Sequence, residues 1–243
     1  MTKKSLHNVL PVTVTSNVTG YRTLIERAYE ELREDIVNGK LAPGTKLLIE
    51  HLKDRYQVGA GTLREALTRL LSDALVIAEG QRGFKVAPIT TEELVDITQL
   101  RVTIETQALR DSIRQGDAQW RKQLKQSYEI ISQFEQPLLP AQAKDWEQAN
   151  TNFHTALLAA CTSPWTLRVL HQLTQNGERY RRYAIGLQSE RDVNSEHALI
   201  FNAAMEGNEA RAALALEAHI RATPELLIKT IKNGINVFQQ NQN

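Results

Sequence analysis

Three histidines, His154, His197 and His219, together with Asn150, are the residues whose types and spacing point to chemistry. Asn150 and His154 stand four apart, which on an α-helix places them on one face, able to aim at one atom. His197 and His219 are 22 residues apart, with Gly207-Asn208 about midway between them. If the flanking segments are antiparallel helices, these matching offsets bring both imidazoles to the same height. With His154 on a third helix, three imidazoles can converge inside a bundle. Imidazole is the usual ligand of zinc, nickel and related divalent ions, and water or a ligand carboxylate fills the open positions. His7, His51 and His171 lack such spacing and read as packed or surface side chains.

A zinc ion with an open position also activates water, so a metal-dependent hydrolase is the alternative reading. Against it, no carboxylate accompanies the histidines in a His-Glu-x-x-His arrangement. Cys161 lies in no nucleophile motif, and the chain has no Gly-rich phosphate loop and no Gly-x-Ser-x-Gly elbow. A third reading is a DNA-binding dimer whose helical bundle serves only to dimerise.

The chain that must position these residues has 243 amino acids, more than one ordinary core serves, which suggests two domains. Its 29 Lys and Arg against 28 Asp and Glu exclude a strongly basic chain that coats nucleic acid and any acidic tail. The balance is uneven: residues 1–88 carry +3 and residues 89–243 carry −2. A mildly positive lobe on a neutral protein suits a small DNA-binding domain joined to something else. The single cysteine, Cys161, excludes an internal disulfide and fits a reducing compartment. The longest apolar run, Ala156 to Cys161, falls far short of the roughly 18 residues of a membrane span. The expected location is cytoplasmic, with no membrane partner.

Residues 1–20 are polar without sustained periodicity and read as an arm. A helical pattern runs from Tyr21 through Leu24, Ala28, Leu32 and Ile36 to Gly39, and Leu41-Ala42-Pro43-Gly44 is a turn. Leu48 to Tyr56 reads as a short helix, and Leu63, Ala66, Leu67, Leu70 and Leu71 mark another. Two β-like pieces, Leu75–Glu79 and Phe84–Pro88, flank Gly80-Gln81-Arg82-Gly83. Three helices and a hairpin over residues 21–88 describe a winged helix-turn-helix. The second helix of such a motif enters the major groove by its N-terminal side, making Thr62, Arg64 and Arg69 the candidate contacts. Arg64 can fork onto a guanine or pair with a phosphate, while Arg82 and Gly83 in the wing turn reach the minor groove or its phosphates. Arg64, Glu65 and Arg69 would otherwise form a solvated helix face. Residues 89–243 read as all helical: a first helix capped by Thr90 or Thr91, with Leu94, Ile97, Leu100, Ile104 and Ala108 on its apolar face and a break at Gly116, then segments near 117–135, 144–161, 164–187, 192–206 and 208–233. The expected fold is mainly α: the winged motif followed by an antiparallel bundle of six or seven helices.

The stretch from Leu41 to Val86 resembles the DNA-binding domain of GntR-family bacterial regulators. The resemblance rests on Leu41-x-Pro43-Gly44, Leu63-Arg64-Glu65-Ala66-Leu67, Arg69-Leu70 and Gly83-x-x-Val86. It departs from the family at Gly59-Ala60-Gly61-Thr62, where a Ser-Arg-Thr-Pro type sequence is usual, so Arg64 is left as the clearest contact. Asn150 to His154, Glu196-His197, Gly207-Asn208, His219-Ile220 and Arg101-x-x-x-Glu105 resemble the FCD ligand domain of the FadR subgroup. That resemblance implies a divalent cation on an Asp and three His at the floor of an effector cavity. Here Asn150 stands at the Asp position, so the site has one negative charge fewer. The resemblance further implies a small carboxylate or dicarboxylate effector, a homodimer, a pseudo-palindromic operator and repression of a carbon-catabolism operon. A finer likeness is to the carbon-starvation branch that answers to glutarate-type dicarboxylates. Arg101 is the candidate carboxylate clamp, its other reading being an ion pair with Glu105. Tyr180 and Arg181 are candidates for the cavity border.

Overall fold

Thr23 opens the first helix: its hydroxyl accepts a hydrogen bond from Glu26 N at 3.1 Å, satisfying one of the amides a helix N-terminus leaves over. The structure is a computed structural model that describes residues 23–80, 83–134, 138, 140–185, 187, 191–235 and 237–238. The arm expected at residues 1–20 lies outside the described residues. Helix α1 (Leu24–Val37) stops at Gly39, whose φ of +75° a glycine adopts without a Cβ clash. Strand β1 (Lys46–Leu47), α2 (Ile49–Tyr56) and α3 (Ala60–Ser72) follow, then β2 (Val76–Ala78) and β3 (Phe84–Val86). The strands form an antiparallel sheet in the order β1-β3-β2, with Val76 opposite Val86 and Leu47 opposite Phe84. The sequence pattern predicts only the β2–β3 hairpin, and both pieces are shorter than expected. Strand β1 is too short to show a period and exists through its pairing with β3.

This N-terminal unit has its own core, in which Leu32, Ile36, Leu63, Leu67, Leu70, Val76 and Val86 are buried. Asp35 on α1 ties it to α2, accepting hydrogen bonds from Tyr56 Oη at 2.7 Å and Arg55 Nη2 at 2.6 Å. Lys40 Nζ adds an ion pair at 3.0 Å.

Six helices make up the remainder among the described residues: α4 (Thr91–Gln115), α5 (Ala118–Ile131), α6 (Ala143–Leu158), α7 (Pro164–Ile185), α8 (Val193–Met205) and α9 (Glu209–Lys232). Short polar side chains start four of them, Thr90, Asp117, Asp192 and Asn208 each accepting from an amide three residues on. Leu109, Leu124, Phe153, Leu157, Ile200 and Leu216 form a second core. A smaller cluster of Leu94, Ile97, Tyr180 and Leu227 lies on α4, α7 and α9. No helix among the described residues is long and apolar enough to cross a membrane.

Helix α7 joins the two units. Gln172 Nε2 donates to Ser72 O at 2.9 Å and Asn176 Nδ2 to Asp73 O at 2.8 Å. The buried Arg179 donates to the carbonyl of Ala87, and Glu178 Oε2 pairs with Arg33 Nη2 of α1 at 3.0 Å.

Candidate functional site

His154 on α6, His197 on α8 and His219 on α9 meet inside the bundle, with one ligand nitrogen of each within 4.8 Å of the others. Gly207 (φ +74°) turns α8 into α9 and brings two of the three rings to one level, their centroids 4.7 Å apart. His154 Nε2 and His219 Nε2 are 3.2 Å apart. Two nitrogens on one zinc, each at about 2.0–2.1 Å, stand roughly 3.0–3.4 Å from each other. Both ring nitrogens of His197 and the Oδ1 of Asn150 are buried without a hydrogen-bond partner. Such orphaned polar atoms each cost about 1–3 kcal/mol unless an ion, water or ligand answers them. The donor set therefore fits a divalent cation. Burial holds the His197 imidazole down at about 4, with Glu196 pulling up and Arg191 down. Burial, and then the neighbouring histidines, hold His154 and His219 well below the usual imidazole range. All three rings are neutral at pH 7, the form that offers a lone pair to a metal.

A cavity of about 60 Å³ opens beside these rings. Asn150, His154 and His219 line one end, Leu94, Ile97 and Trp146 supply apolar wall, and Arg101, Arg181 and Arg191 contribute guanidinium groups. Both readings of Arg101 meet here: its Nε pairs with Glu105 Oε1 at 2.8 Å and its side chain lines the cavity. A Cβ at Gly177 would stand 3.3 Å from Arg101 Nη1, so the glycine leaves that guanidinium its room. Arg181 is held by Glu147, Nε to Oε1 at 3.1 Å. Tyr180 borders the cavity with its ring, while its hydroxyl donates to the Glu93 carboxylate and accepts from Thr90 N at 3.2 Å. Its polar end therefore fixes the start of α4.

The candidate DNA-facing residues lie apart from this cavity, on the N-terminal unit. Helix α3 begins at Ala60 behind an extended Gly59 that provides no side-chain cap. Thr62 is half-buried and Arg64 exposed. Arg69, five residues further on, lies with its guanidinium 4.8 Å over the Tyr29 ring of α1. Gly83 is exposed at φ +92°, and Arg82 lies outside the described residues.

Three helices and a winged sheet ahead of a histidine-bearing bundle match two family models. The model for bacterial regulatory proteins of the gntR family matches residues 24–86, and the FCD domain model matches residues 96–222. The chain belongs to the gntR family of bacterial regulatory proteins. This gntR-family chain is 40% identical over 224 residues to the uncharacterized HTH-type transcriptional regulator BphR of Paraburkholderia xenovorans, covering 90% of each. It is 29% identical to the HTH-type transcriptional repressor GlaR of Escherichia coli, over 85% of this chain and 96% of that one. In fold it is similar to E. coli McbR/YncC, with a TM-score of 0.69 at 20% identity, over 86% of this chain and 99% of that chain. The protein is a ligand-responsive, DNA-binding transcriptional regulator and not an enzyme, and the hydrolase alternative finds no support among its relatives.

Arg191 and Thr223 of this regulator's site escape the sequence reading, which quotes Glu196 beside His197 without giving it a role. Arg191, in the polar stretch before α8, forks onto Glu196, Nε to Oε1 and Nη2 to Oε2 both at 2.6 Å. Its Nη1 reaches Thr223 Oγ1 at 2.6 Å. Glu196 Oε2 in turn lies 2.7 Å from His219 Nδ1. Besides the quoted Glu196-His197 pair, an Arg five residues ahead of that Glu, astride a helix start, is the trace of this cluster in the sequence.

Proposed function

We propose that this regulator is a homodimeric repressor of a carbon-catabolism operon, released by a small carboxylate or dicarboxylate that enters the bundle cavity. Residues 21–88 are the DNA-binding head and residues 89–243 the effector-binding and dimerising body. A two-fold dimer presents two copies of α3 to half-sites of a pseudo-palindromic duplex. Thr62 and Arg64 then address phosphate and base edges, and Arg69, Arg82 and Gly83 follow the flanking backbone.

The observation that carries this reading is a cavity with imidazoles at one end and guanidinium groups on its walls, bordered by the same α7 that grips the head. Asn150, His154, His197 and His219 would hold a divalent cation, zinc or nickel. When bound, that ion supplies two positive charges where each cavity arginine already has a carboxylate partner. Arg101 and Arg181 orient an effector carboxylate by their planar donor pairs, while Leu94, Ile97 and Trp146 exclude water from its carbon chain. Release requires that the effector bind one arrangement of head and body better than the other.

The test is fluorescence anisotropy with a promoter-proximal duplex, with and without succinate, glutarate or adipate, beside thermal melting with the same acids and zinc or nickel. Binding should weaken steeply with salt, and one acid should weaken it further. Arg64→Ala should cost about 1–3 kcal/mol of DNA affinity. A ligand at a hundred times its Kd stabilises by about 2.7 kcal/mol, so a melting temperature unmoved by every acid and both ions would refute the effector reading.

A further inference from the structure

We propose that Glu196 is a positioning residue for the histidine cluster: it holds His219 as the Nδ1–H tautomer, so that Nε2 offers its lone pair to a divalent cation beside His154 and His197. This rests on the reading of the cluster as a metal centre.

The hydrogen-bond arithmetic around His219 leaves one consistent assignment. A carboxylate only accepts, so the 2.7 Å approach of Glu196 Oε2 to His219 Nδ1 requires the proton on Nδ1. The competing neighbour is Arg191 Nη2, 3.3 Å from the same nitrogen. Its two hydrogens have better acceptors, Glu196 Oε2 at 2.6 Å and the His219 carbonyl at 3.1 Å. With Nδ1 protonated, His219 Nε2 is an acceptor and faces His154 Nε2 at 3.2 Å. In the metal-free protein His154 is therefore the donor of that contact, and to offer its Nε2 lone pair to a cation as well, His154 would move this proton to its own Nδ1, remaining a neutral imidazole. A carboxylate hydrogen-bonded behind a metal-binding imidazole fixes the ring and raises its basicity. Arg191 holds the carboxylate itself, through the two-pronged contact across the start of α8.

The placement of Glu196 makes the idea testable without damage to the core. It sits in the first turn of α8 with its side chain a quarter exposed, and it is not one of the residues of the apolar core. The experiment compares the full-length wild type with Glu196→Ala and Glu196→Gln. Zinc, nickel and cobalt affinity is measured by competition with a chelator, and the His219 tautomer by long-range proton–nitrogen NMR on metal-free protein. The wild type should show His219 as a single Nδ1–H form. Glu196→Ala should lose that form and bind zinc about 10–100-fold more weakly. Glu196→Gln, which keeps an acceptor oxygen without the charge, should retain the tautomer and fall between the two in affinity. An unchanged tautomer in Glu196→Ala, or zinc affinity within twofold of wild type, overturns the inference and leaves the metal centre standing. A wild type that takes up none of the three ions overturns both. Matching metal-free melting curves show that the variants are folded, and if Glu196→Ala does not fold, zinc affinity in Glu196→Gln equal to wild type overturns the inference.

Discussion

Asn150 shows how one atom sets the character of this site. Its Oδ1 is buried beside His154 without a partner, where a carboxylate would bring a charge. An amide oxygen is a neutral and weaker donor to a divalent ion. Asn150→Asp should therefore tighten zinc binding by at least several-fold in a chelator competition, and weaken the response to any carboxylate effector as the net charge of the cavity falls. Equal zinc affinity in the two proteins would mean that residue 150 does not ligate. The spacing of Asn150, His154, His197 and His219 was legible in the sequence because helical periodicity and one glycine turn relate them. Arg191 was not, and Glu196 was quoted beside His197 without a role, since ordinary polar residues at a helix start look alike whatever they face.

At the scale of elements, the winged head depends on Asp35, which links α1, α2 and Lys40. Burial pushes its carboxyl upward, but the Tyr56 hydroxyl, Lys40 and Arg55 outweigh burial and hold it below the usual carboxylate range. A carboxylate with a depressed folded pKa stabilises fully above its unfolded value of about 3.9, and that contribution drains away as pH falls through the folded value. Thermal melting of the wild type should thus decline below about pH 4, and Asp35→Asn should lack this part of the decline. At neutral pH the variant should be about 1.5–3 kcal/mol less stable, as expected for losing hydrogen bonds to a charged group. A variant with the same acid profile as wild type would assign that pH dependence to other carboxylates. The helices of the head were readable from apolar spacing and from Gly39, whereas β1, only two residues long, acquires its identity from β3.

For the whole molecule, α7 makes the larger set of contacts that touch both the cavity and the head, beside the α6 pair of Lys144 Nζ with Glu34 Oε1 at 2.7 Å. Gly177, Tyr180 and Arg181 border the cavity, while Gln172, Asn176, Glu178 and Arg179 reach the N-terminal unit. Glu178 stands between them, 3.0 Å from Arg33 of the head and 3.8 Å from the cavity arginine Arg181. Burial raises its carboxyl while these two arginines oppose the rise. Glu178→Gln should leave the affinity of ligand-free protein for the duplex within a few-fold. It should, however, cut the change in DNA affinity produced by whichever dicarboxylate acts on the wild type, as coupling energies of about 1–3 kcal/mol allow. An undiminished response in anisotropy titrations would place the coupling in the other α7 contacts or in the α6 pair of Lys144 with Glu34.

The sequence by itself determined the order of the helices, the hairpin of the winged head, the helical body and the histidines that meet, because helical period, caps and turn residues are local and leave regular marks. Only the tertiary structure decided what partners those side chains. Arg101 both pairs with Glu105 and lines the cavity, Tyr180 turns its hydroxyl to Glu93, and Arg69 rests on Tyr29. Those pairings join residues through space across helices whose relative placement is set by the packing of the whole core, and no spacing along the chain encodes them.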